Sequence, residues 1–283
     1  MAFKKFKFNI EGEDNRFNLF AYICTRAQVE RICKPFRYEG NLYYIGTTGV
    51  SSHLIDTGEG LIVIDTLEPS CGGQFIESFW ELGFDPRDVK MIFHTHNHVD
   101  HIGCTNLLKA ISGATTYMGA QDIEDIRTRP YLTDAFKDTQ FIADVAINDG
   151  DCFTFGNMTI RCVHAPGHTP GTQAFFFNVT KEDGTQLTAG IHGGVGFNTL
   201  DLEFCGKNNM MEMRKAFSDS LDKIENEKVD IVLGSHPGFV NTMEKRQKQI
   251  ENPDVNPLID PLAWDAFIKK TKQEYREFLD SGK

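Results

Sequence analysis

Four histidines and an aspartate fall within the eight residues His94 to His101 of the stretch MIFHTHNHVDHIGC. In an extended segment, side chains two positions apart leave on the same side, so His96 and His98 can direct two imidazoles at one ion. Asp100 and His101 follow where the chain must turn into a helix carrying Leu107, Leu108 and Ile111. They therefore leave in a new direction and can hold a second ion beside the first. Imidazole and carboxylate without thiolate suit Zn²⁺, with Fe or Mn as the other candidates, and do not suit an iron–sulfur or copper-transfer centre. A purely structural role would require hydrogen-bond partners for all these imidazole nitrogens. His94 would share a strand face with His96 and is not read as a ligand; a role behind the ligands is left open.

The elements that must position these groups are legible around them. NLYYIGT, SSHLIDT and GLIVIDT are short β-rich runs with glycine-containing turns, an antiparallel meander that ends at Asp65. A helix is expected over Gly72 to Leu82, then a turn at FDPRD, and a strand from Lys90 to His94 that delivers the histidine loop. A helix over 101–111 and a strand at Thr115 to Met118 follow. The polar stretch Gln121 to Asp144 reads as a lid or a pair of surface helices. INDGDCFTFGNMTIRCVHAPGHTPGTQAFFFNV alternates turns and strands. A strand ending at Ala189 then gives way to the glycine-rich loop GIHGGVGFNTL. Helical spacing covers Asn209 to Asn226, a strand covers Val229 to Leu233, and Asp260 with Pro261 opens a last helix whose Phe267, Tyr275, Phe278 and Leu279 dock on the body.

Residues 1–34 form an N-terminal extension, with strand-like alternation at Phe6, Phe8 and Ile10 and a helix over Phe20 to Cys33; residues 35–283 form one domain of two similar halves. With 40% apolar residues in 283, the chain is long enough for a large core. A net charge of −11 repels nucleic-acid phosphates. The seven cysteines form no C-x-x-C pair and read as reduced, Cys104 included. His53 and His164 read as structural. No apolar run approaches the ~20 residues of a membrane span. The chain as it stands is expected to be cytoplasmic, or periplasmic or secreted if a leader was removed. The expected partner is a small-molecule substrate, with no nucleic acid or membrane, and the oligomeric state is open.

Thr95, His96, His98, Asp100 and His101 resemble the T-H-x-H-x-D-H signature of the metallo-β-lactamase fold superfamily. The resemblance implies an α/β, four-layered αβ/βα sandwich of two mixed sheets flanked by helices. It also implies one further ligand for each ion from later loops. APGHTPG supplies His168 to His96 and His98, and LGSHPG supplies His236 to Asp100 and His101. It gives Asp65 a supporting role behind the ligands. The stretch PFRYEGNLYYIGTTGVSSHLIDT, the histidine loop, DGDCFTFGNMTIRCVHAPGHTPG and NPLIDPLAWDAFIKK are similar to the subclass B3 metallo-β-lactamases. This implies two Zn²⁺ ions that activate water to open a β-lactam amide, with Asp100 orienting that water, an activity associated with antibiotic resistance. Where many superfamily hydrolases carry a bridging aspartate in a G-D pair, this chain has Gly190, Ile191 and His192. Subclass members usually place serines nearby to hold the substrate carboxylate. Here His192, Asn198 and Thr199 are the expected substitutes. Lactone or thioester hydrolysis is the alternative. The net charge and the absent aspartate disfavour phosphodiester cleavage, and retention of all six ligands disfavours a non-catalytic metal-binding protein.

Overall fold

The computed structural model describes residues 31–128 and 141–283. The expected strand, residues 20–30 of the expected helix and residues 129–140 of the expected lid lie outside the described residues; residues 31–33 are not helical, and 121–128 of the lid stretch are helix. The first sheet has seven strands in sequence order: β1 (Phe36–Glu39), β2 (Leu42–Tyr44), β3 (His53–Asp56), β4 (Leu61–Ile64), β5 (Val89–Phe93), β6 (Thr115–Gly119) and β7 (Val145–Ile147). β1 to β4 are the antiparallel meander, and β4 to β7 run parallel. The second sheet has the order β12-β11-β10-β9-β8, from β8 (Cys152–Phe155), β9 (Met158–His164), β10 (Gln173–Thr180), β11 (Gln186–His192) and β12 (Ile231–Gly234). Only β11 and β12 in it are parallel.

Alternation along the strands builds three apolar layers. Met91 and Phe93 of β5 face Phe175 and Phe177 of β10 between the sheets, with Phe93 and Phe175 ring centroids 5.6 Å apart. Ile92 faces outward onto Phe75 and Phe79 of helix α1 (Gly72–Glu81). On the other flank, Phe176 of β10 meets Trp264 of the C-terminal helix (Ala263–Asp280). Fully burying each such ring contributes roughly 1.5–3 kcal/mol. Helix, sheet, sheet and helix are thus the four layers of the αβ/βα sandwich.

Three local expectations are corrected. The helix expected over 101–111 is two pieces, α2 (Val99–Ile102) and α3 (Thr105–Ser112), because the N–H groups of Gly103 and Cys104 donate to Leu67 O and Thr66 O. The helix expected from Asn209 starts at Glu212, since Asn209 sits at φ 53 as the left-handed cap of the preceding helix Leu202–Asn208. The last helix begins at Ala263; Asp260 instead caps the turn before it, its carboxylate accepting from Leu262 N at 3.0 Å.

Candidate metal centre

The loop after β5 carries the first candidate ligands, and its backbone is held from several sides. His94 N–H donates to Tyr117 O, and Thr95 N–H to the Asp65 carboxylate at 2.8 Å. Asp65 follows β4 at φ 60, a conformation that costs a non-glycine residue free energy and persists where surrounding bonds over-determine it. Here Ser52 Oγ donates to Asp65 O, and Asp65 N–H donates to Phe93 O. Asp100 and His101 lie in α2 and group with His236, apart from the group of His96 and His98. His168 lies in the loop between β9 and β10, and His236 follows β12.

Two triads result. Ligand atoms of His96, His98 and His168 lie within 4.8 Å of one another, as do those of Asp100, His101 and His236. The His96 and His101 rings are 4.2 Å apart, so the triads adjoin. Both sit at the carboxyl ends of strands, at one edge between the sheets.

Hydrogen bonds behind most of the imidazoles set their tautomers. The Thr95 hydroxyl donates to Asp65 at 2.7 Å and can therefore only accept from His96 Nδ1–H, at 3.0 Å. That leaves a lone pair on His96 Nε2, 3.1 Å from His98 Nδ1. His168 Nδ1–H donates to Gly196 O and His236 Nδ1–H to Gly49 O, both at 2.8 Å. His101 Nδ1–H donates to Asp65, also at 2.8 Å. His101 Nε2 and His236 Nε2 then face each other across 3.3 Å, each 3.4–3.5 Å from Asp100 Oδ2. At the second triad, two lone pairs facing each other and a carboxylate require a positive charge between them; at the first, His98 Nδ1 can either donate to His96 Nε2 or, as a lone pair, join it as a donor to an ion, and both donor sets suit Zn²⁺.

Electrostatics agree. Burial pushes His96 and His168 well below the ordinary imidazole range, and neighbouring imidazoles add to the shift. Burial likewise brings His98 down to about 4. At His101 burial is outweighed by the Asp100 and Asp65 carboxylates, which hold it up to about 10. For Asp100, burial acts upward, but His101, His236 and His98 pull the carboxyl far below its usual range. The second triad thus takes a cation, proton or metal, at neutral pH.

The residues expected to bind substrate separate. β11 runs through His192, which pairs with Ala174 on one side and Gly234 on the other. Period-two alternation puts Ile191 between the sheets and turns His192 outward toward Phe217, where it is 1% exposed. Thr199 is also buried, its hydroxyl donating to His168 O at 2.7 Å. These positions correct the expectation for both, and only Asn198 is exposed. The glycine-rich loop packs flush against His168: a Cβ on Gly194 would lie 2.4 Å from His168 Cδ2.

His94 is buried outside both triads, with Nε2 3.3 Å from Thr105 Oγ1. Buried His53 lies in β3, its Nε2 3.3 Å from Gly234 O, and His164 Nε2–H donates to Pro170 O, bracing the His168 loop. Cys104 Sγ contacts Glu68 O at 3.1 Å, and burial pushes its thiol up to about 12. No disulfide forms among the described residues. The carbonyls of Gly49 and Gly196 were beyond sequence reasoning, because a backbone acceptor has no side-chain signature. No described helix is long and apolar enough to cross a membrane.

Residues 45–181 match the family described as the Metallo-beta-lactamase superfamily. BJP-1, a subclass B3 metallo-β-lactamase of Bradyrhizobium japonicum, superposes with a TM-score of 0.80 at 25% identity, covering 91% of this chain and 98% of that one. Native FEZ-1 metallo-β-lactamase of Legionella gormanii gives 0.79 at 26%, covering 89% and 97%. Among curated relatives, a hydroxyacylglutathione hydrolase of Methylococcus capsulatus is 32% identical over 128 residues, 44% of this chain and 40% of its own length. An atrochrysone carboxyl ACP thioesterase of Aspergillus fumigatus is 27% identical over 194 residues, 68% of this chain and 38% of its own. The chain spans about two fifths of the length of these two relatives.

Proposed function

We propose that this chain, which carries a metallo-β-lactamase superfamily domain and resembles the subclass B3 enzymes in structure, is a dinuclear zinc hydrolase that opens a β-lactam amide. The observation that carries this reading is the convergence of two adjoining triads with, among the described residues, no bridging aspartate between them, Ile191 and His192 standing at the position where such an aspartate would come. Bound there, the ions would polarise an acyl carbonyl and make hydroxide available near neutral pH.

The chain's own groups would do the rest. His96, His98 and His168 hold one ion, and Asp100, His101 and His236 the other. Asp100 is the one carboxylate among the six, and its side chain is 26% exposed. It can accept a hydrogen bond from the attacking water and hold that water toward the carbonyl carbon. Asp65 keeps His101 in the Nδ1–H tautomer, so its Nε2 is free to bind. Asn198 is the exposed polar side chain of the glycine-rich loop and would donate to the substrate carboxylate.

A second reading, thioester hydrolysis, is favoured by one observation: with His192 and Thr199 buried, the carboxylate-binding side of the site is reduced to Asn198. The two curated relatives, named as a hydroxyacylglutathione hydrolase and an ACP thioesterase, support the same class. The test is a panel of a penicillin, a cephalosporin, a carbapenem, a lactone and a thioester, each assayed with and without chelator. Cleavage of a β-lactam above the chelated control is expected. Cleavage of the thioester or lactone alone would replace the lactam reading and keep the metal-hydrolase one.

A further inference from the structure

Helix α4 (Ala120–Thr128) follows β6 and contributes no ligand, yet its first turn buries a carboxylate completely: Asp122 is 0% exposed. One oxygen, Oδ2, accepts from Asn97 N–H at 3.0 Å and from the Thr169 hydroxyl at 2.8 Å; the other, Oδ1, accepts from Gly171 N–H at 2.7 Å. Asn97 lies between His96 and His98, and Thr169 follows His168. The approach is close enough that a Cβ on Gly171 would fall 2.4 Å from Asp122 N and 2.6 Å from its carboxyl carbon. Burial pushes the carboxyl up to about 7, and the three donors oppose that by favouring the charged form.

We infer that Asp122 is a positioning residue for the first triad, setting the separation of His96 and His98 from His168 by bonding both of their loops at once. This rests on the reading of that triad as a metal site. The three ligands come from two loops on different sheets, and a buried acceptor bonded to both converts two independently placed segments into one unit. The second triad is braced by Asp65, which also reaches His96 through Thr95, and makes no bond to Asp122. The effect of losing Asp122 should therefore fall on one triad.

Asp122→Asn is the informative change. An amide offers a single acceptor oxygen and sets its NH₂ against a backbone N–H, donor against donor. Zinc affinity would be measured by chelator competition in two backgrounds, His236→Ala, which leaves the first triad intact, and His168→Ala, which leaves the second. Affinity should fall roughly tenfold to a hundredfold in the first background, as for other losses of a group behind a ligand, and stay unchanged in the second. In the metal-free protein, the amides of Asn97 and Gly171 should lose hydrogen-exchange protection together. Equal weakening in both backgrounds, or none in either, would overturn the inference. If Asp122→Asn does not fold, Thr169→Val removes one of the three bonds at nearly constant shape; an unchanged first-triad affinity there would overturn it too. A parent protein that binds no zinc would instead remove the functional reading itself.

Discussion

The Asp65 carboxylate lies 2.8 Å from His101 Nδ1, and both side chains are almost completely buried. One oxygen, Oδ2, accepts from this imidazole and from the Thr95 hydroxyl, while Oδ1 accepts from Thr95 N–H. Through Thr95 the same carboxylate also fixes the His96 tautomer. Asp65 thus orients one ligand in each triad.

Asp65→Asn should accordingly weaken zinc binding at both triads by roughly tenfold to a hundredfold. Chelator competition would detect this, and unchanged affinity would show that the imidazoles hold their orientation without it.

Asp100 and His94 should behave differently although both belong to the same eight-residue stretch. On the proposed reading, Asp100→Asn would remove a metal ligand and the group that orients water, and should cut turnover by on the order of a hundredfold. His94→Ala leaves both triads intact and should cost far less. Equal losses in kcat would refute the assignment.

Gly194 should tolerate no side chain. Gly194→Ala places a Cβ 2.4 Å from His168 Cδ2, so either the imidazole or the loop must move. Zinc content should drop at the first triad while Gly206→Ala, where a Cβ meets nothing within 4 Å, changes nothing. Equal zinc content in the two variants would contradict the packing argument.

Acid should destabilise the fold through histidines that bind no metal. Burial pushes His53 down to about 4 from 6.5. As pH falls below 6.5 the unfolded chain takes up a proton that the folded one refuses, so stability declines until the folded group also titrates near 4. The slope attributable to His53 is at most about 1.4 kcal/mol per pH unit. Urea unfolding of the metal-free protein between pH 7 and 4.5 should show a shallower decline for His53→Gln than for the parent. Parallel curves would show that His53 does not carry this effect.

The two candidate triads were legible because metal binding constrains side-chain type and spacing along a short stretch, as in His96, His98, Asp100 and His101. The meander and the sandwich were legible because alternation of apolar residues encodes which face of a strand is buried. What escaped depends on contacts between distant segments. The break at Gly103 comes from carbonyls of the 66–67 loop, which local helical spacing cannot reveal. His192 looked like a loop residue because glycines surround it, but pairing on both sides extends β11 and turns the side chain away from the site. Asp122 sat in a stretch read as surface, since its partners lie 25 to 49 positions away.

The most direct test of the two-ion account is metal analysis of protein purified without chelator, alongside His236→Ala. The account predicts close to two zinc ions per chain in the parent and close to one in the variant. A consistent value of one in both would remove the second site and, with it, the dinuclear mechanism.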